Sequence, residues 1–206
     1  KILEDGSTWN GGVWKGGDFN GTWRAGRFAG GTFEGTWHGG IWQGGNWVKG
    51  VWLDGEWRNG LWVHGTWKSG TWRNGTWHDG YWRTGTWHGG RWVNGGWGTG
   101  VWLGGEWRGG VWNTGEWKSG EWKKGIWKDG KWRAGVWSKG EWRGGRWISG
   151  YWYDGTWYDG RWDFGSWFDG RWLGGIWQSG EWCNGDWYRG EWYNGVWYKG
   201  TWHGGT

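Results

Sequence analysis

Proline and methionine are both absent from the 206 residues, and cysteine occurs once, as Cys183. A chain without proline keeps every backbone N–H available, which suits a structure whose donors are spent in β-ladders. The lack of any methionine, an initiator included, leads us to expect a processed chain or a segment of a longer one. A single cysteine excludes an internal disulfide framework, and Cys183 occupies an ordinary slot of the pattern described below. No apolar run approaches the roughly 18 residues of a membrane helix. Lys1-Ile2-Leu3-Glu4-Asp5 also lacks a signal-peptide core. Neither a transmembrane segment nor a membrane partner is expected. The net charge of +5 comes from acids and bases interleaved along the chain, with no basic run that would favour nucleic acid as a partner.

What is present is repetition. The chain holds 37 Trp and 54 Gly, far outside ordinary globular usage. A tryptophan stands at every fifth residue from Trp37 to Trp202, and a glycine at every fifth from Gly40 to Gly205. Residues 37–206 therefore read as one strict repeat domain. Upstream, Trp9, Trp14, Phe19, Trp23, Phe28, Phe33 and Trp37 include two four-residue steps and three Phe-for-Trp replacements. We expect residues 1–36 to form an irregular N-terminal cap or a junction to the repeat, since terminal repeats need not satisfy neighbours on both sides.

Each slot has its own chemistry. Thr, Val, Ile or Glu often precedes Trp (Val51, Thr66, Ile126), and Arg, Lys, Tyr, Val or Leu often follows it. Side chains alternate across a strand, so these flanks point away from the indole. Asn, Asp, Ser, Thr or Gly commonly precedes the repeat glycine (Asp54, Asn59, Ser69), and such residues tolerate turn or left-handed backbone. The unit predicts a three-residue strand and a corner. A helix is excluded, because positions five apart drift by about 140° around its axis. Regular glycine would also cost about 1 kcal/mol each there.

Asn-Gly and Asp-Gly steps are hairpin signals too. A three-residue strand between two-residue hairpins, however, would turn both of its ends toward the same neighbour, while its two turns require opposite ones. A parallel solenoid has no such conflict. The unit resembles the pentapeptide-repeat family, with Gly at the small inward place and Trp at the large one. That resemblance implies an all-β parallel β-solenoid, or β-helix, with four units per coil and Trp inside. Apolar flanks at Val51/Leu53, Leu61/Val63 and Val101/Leu103 alternate with polar ones at Glu56/Arg58, Thr66/Lys68 and Glu106/Arg108. This period of ten predicts four units per coil, with two as the rival, and rods of roughly 40 or 80 Å respectively. The Gly-x-Trp-x-x-Gly core also resembles MORN repeats, which implies an antiparallel hairpin meander and a membrane-associated scaffold as the alternative. Thr-Trp-x-Asn-Gly segments look similar to tandem repeats of phage virion and tail proteins.

The core should comprise the tryptophans, Trp52, Trp62, Trp102 and Trp152 among them, with glycines such as Gly50, Gly55 and Gly100. No catalytic, cofactor or metal residues are expected. His78 and His88 share a slot ten residues apart but read as surface filler, and Glu141/Arg143, Glu121/Lys123 and Glu116/Lys118 as exposed ion pairs. Thr66, Thr71, Thr76 and Thr86 make a partial threonine row that Tyr81 interrupts. Tyr151, Tyr153, Tyr158, Tyr188, Tyr193 and Tyr198, with Phe168 between, make a candidate outward binding face for glycan or protein. The expected role is a non-enzymatic rod or spacer in a virion or extracellular assembly. Its partners would be other structural proteins or further segments of the same chain, with oligomers allowed. An adhesin using the tyrosine-rich face is the alternative.

Overall fold

The computed structural model describes residues 7–206. Every described strand pairs in parallel with a strand one coil away, and the chain winds as a β-solenoid. The antiparallel alternative is thereby replaced.

The ladder register gives the coil its size. Trp52 pairs with Trp67 and Trp67 with Trp82, a step of 15 residues, or three units. This corrects the expected four or two. Tryptophans 37, 52 and 67 belong to the column of the first face, 42, 57 and 72 to that of the second, and 47, 62 and 77 to that of the third. The second face is a sheet of 13 strands, which at about 4.8 Å per rung makes a stack of roughly 60 Å. The period of ten in the flanks does not follow the faces. Val51 and Leu53 lie on the first face, Leu61 and Val63 on the third, and Val101 and Leu103 on the second.

Three units suffice because the indole is large. Trp102 stacks on Trp87 and on Trp117 at 4.8 Å with planes 6° apart, continuing its own column. It meets Trp97 at 5.9 Å and Trp107 at 6.0 Å edge-on, 74° from parallel in each case. Three rings packed edge to face close the interior of one coil, in the geometry aromatic pairs favour. Trp52, Trp62, Trp102 and Trp152 have no exposed surface, and the buried column members run from Trp14 to Trp187.

The strands are shorter than the sequence implies. Beyond Trp52 each is the two-residue x-Trp segment, such as Val101–Trp102. The N–H after each Trp donates to the Trp carbonyl one coil back, as Lys68 does to Trp52 at 2.8 Å. The N–H before each Trp donates to a corner glycine carbonyl, as Thr71 does to Gly55 at 2.9 Å.

The corner glycine works differently from a small residue that makes room for the indole. Gly100 has φ +126°, and a Cβ there would lie 2.3 Å from the Gly85 carbonyl oxygen of the coil below. Gly50 and Gly55 meet the same obstacle from Gly35 and Gly40. Backbone stacked on backbone is therefore the main constraint. Among the described residues all positive φ values fall on glycines, so the preceding Asp or Asn is not left-handed. At some corners its carboxylate or amide oxygen instead accepts the glycine N–H, as Asp79 does from Gly80 at 2.8 Å and Asn194 from Gly195 at 2.8 Å.

The region 1–36, expected as an irregular cap, is described from Ser7 onward and there continues the same ladder. Its coils are one residue shorter, since Trp9 pairs with Trp23 and Phe19 with Phe33. The strands Asp18–Trp23 and Thr32–Trp37 run straight through the corner between the third and first faces. Asn46–Trp52 does so as well, with a register shift after Phe33 that introduces the longer coil.

Candidate functional surface

With the indoles inside, chemistry is confined to the residues between them. The three-unit coil sorts these onto faces that the linear order hides.

Tyr151, Tyr153 and Tyr198 belong to the third face, Tyr158 and Tyr188 to the first, and Tyr193 to the second. The six do not form one face. Tyr153 stacks on Phe168 at 4.8 Å with planes 12° apart, and Tyr151 approaches the same ring at 6.4 Å. The two stacked rings cover each other's flat sides and present their edges outward. On the first face Tyr188 stacks on His203 at 4.4 Å.

The threonine row divides as well. Thr71 and Thr86 are paired on the second face, while Thr66 lies on the first and Thr76 on the third. His78 follows the third-face Trp77 and His88 the second-face Trp87, so the structure does not bring these histidines together. Tyr81 lies against Gly96 and Gly98 of the next coil, where an added Cβ would stand 3.0 Å from its ring and 2.9 Å from its hydroxyl oxygen.

The two-apart ion pairs form: Glu116 with Lys118 at 3.3 Å, Glu141 with Arg143 at 3.0 Å, and Glu121 with Lys123. The sequence did not reveal the pairs between coils. Arg73 binds Glu56, Arg133 binds Glu116, and Arg91 reaches Glu106 at 3.2 Å. The Arg73 hydrogen bond holds the Glu56 carboxyl below its ordinary range, and Arg133 does the same for Glu116, each against an opposing effect of burial. Cys183 is half-buried on the third face, where burial and then Glu181 push its thiol up, away from the reactive thiolate.

Several shallow grooves follow the corners. One of about 320 Å³ is lined by Ala134, Ser149 and Gly150, with Val136, Tyr151 and Phe164 beside them. It lies between the second and third faces.

No family model matches the chain, and no curated protein does. Among solved structures, the crystal structure of the polySia specific acetyltransferase NeuO aligns with 94% of this chain and 80% of its own, at 7% identity and a TM-score of 0.10. That score carries no argument about fold or function.

Proposed function

We propose that the chain serves as a non-enzymatic rigid rod or spacer in a virion, such as a tail or fibre, or in an extracellular assembly. The observation that carries this reading is the continuous three-column aromatic core, which stacks from Trp14 to Trp187 with the same ring geometry at nearly every coil. A stack of identical rungs joins two ends at a fixed distance, and bending it means parting rings as well as ladder bonds. Further structural proteins or further segments of the same chain are the natural partners at its ends.

The test is a two-coil deletion of residues 101–130 in the assembly that contains the chain. A spacer shortens the distance between its attachment points by roughly 10 Å and leaves the assembly intact. Unchanged spacing, imaged by electron microscopy, contradicts the reading.

A binding module is the second reading, favoured by the exposed Tyr151 and Tyr153 beside Phe168. Because Tyr153 and Phe168 stack on each other and offer their edges, that pair suits a protein contact better than sugar stacking. Loss of a partner on Tyr153→Ser with Phe168→Ser, at unchanged rod length, supports this second reading over the first.

A further inference from the structure

Counting whole units, those of the second face carry nine Lys and Arg against four Asp and Glu. The first face has seven against five and the third seven against eight. The excess of five on the second face equals the net charge of the entire chain. Interleaving along the sequence thus becomes segregation in space, because a coil of three units sends every third unit to the same face.

The excess is densest over four successive rungs. Lys131, Arg146 and Arg161 stand in register, each directly above the last, with Arg133 and Lys118 beside them. Like charges facing across a ladder are destabilising. Only two carboxylates on this face relieve them: Glu116, shared by Lys118 and Arg133, and Asp163, shared by Arg146 and Arg161 at 2.6 Å each. Among the described residues Lys131 has no ion pair. In the corner toward the first face, Asp129 and Asp159 accept the N–H groups of Gly130 and Gly160, while Arg143 there is held by Glu141. The opposite corner is uncharged, and there the groove over Ala134, Ser149 and Gly150 runs beside the cations.

We propose that this strip and groove bind a linear anionic glycan, sulfated or carboxylated, lying along the rod axis. Guanidinium forks receive planar or tetrahedral anions bidentately, and the rung spacing repeats them along a straight line. The small-residue groove gives sugar rings a bed, with Val136, Tyr151 and Phe164 against their C–H faces. Single-stranded nucleic acid fits less well, since its binders repeat aromatic platforms along the strand and this strip has two exposed aromatics, at one place.

The test measures binding of the full chain to heparin, polygalacturonate, neutral dextran and a single-stranded DNA oligonucleotide at several salt concentrations. The anionic glycans should bind with affinity that falls as salt rises, and dextran should not bind. Lys131→Gln with Arg146→Gln should weaken glycan binding about tenfold or more at an unchanged circular dichroism spectrum, that factor corresponding to about 1.4 kcal/mol. Lys68→Gln with Arg83→Gln on the first face should leave it unchanged. No glycan binding overturns the proposal. So does an equal loss in the first-face control, or tighter binding of the oligonucleotide than of either glycan.

Discussion

At the residue scale the indole plays two parts that separate on substitution. Its rings fill the core, and Trp102→Ala should cost about 3–5 kcal/mol, read as a lowered midpoint in denaturant. Its N–H is another matter. Trp62 and Trp177 donate to the carbonyl oxygens of Asp79 and Asn194, 17 residues on, at 3.2 and 3.1 Å. In 32 other tryptophans of the described region the buried Nε1 has no partner. A buried unpaired donor costs about 1–3 kcal/mol, so removing it offsets part of a lost ring. Phe28 already stacks on Trp42 at 4.2 Å in the early coils. Trp102→Phe should therefore be much milder than Trp102→Ala, and equal losses would contradict an unpaired indole donor. Gly100→Ala should destabilise by about 1–3 kcal/mol despite the small change in size, since both its φ and the carbonyl below oppose a Cβ.

Glu116 gives the pH dependence at the same scale. Its folded pKa is depressed by Arg133 first and Lys118 after, so the unfolded chain binds its proton more readily. The stabilisation is present above the ordinary carboxylate value of about 4.3 and is lost as pH falls through the lower folded value. Thermal melts between these limits should show a shallower acid decline for Glu116→Gln than for the parent chain.

At the scale of the element, strand, corner and inward Trp were legible in the five-residue period, since only a β-arrangement keeps such positions on one side. The coil size was legible too, but in the irregular stretch. The four-residue steps Phe19 to Trp23 and Phe33 to Trp37 recur three units apart, so both fall on the same corner. An irregularity that returns once per coil counts the units. The apolar period of ten is instead a local composition that the register does not follow. The candidate site was less legible: Tyr153 beside Phe168, and Lys131 beside Arg146, are neighbours only at a spacing of 15. Deleting the single unit 101–105 should leave the core intact, because every unit supplies a Trp, while turning all later outer residues by one face. Near-parental circular dichroism is the expected result, with Lys131, Arg146 and Arg161 still in register with one another but turned onto a different face from Arg58 and Arg73. Collapse of the fold would contradict equivalence of the units.

For the whole molecule, each coil touches only its neighbours, and stability is carried by rung-on-rung interfaces. Residues exposed at the described end, such as Trp202 at 43%, contrast with the sealed interior. The register itself is the quantity to measure. Thr66 and Asp186 are connected through eight successive in-register pairs on the first face. Spin labels at Thr66→Cys and Asp186→Cys, in a Cys183→Ser background, report their separation by double electron–electron resonance. Three units per coil predicts a distance centred near 38 Å, whereas about 29 Å or about 58 Å would mean four or two units per coil and contradict the three-column core.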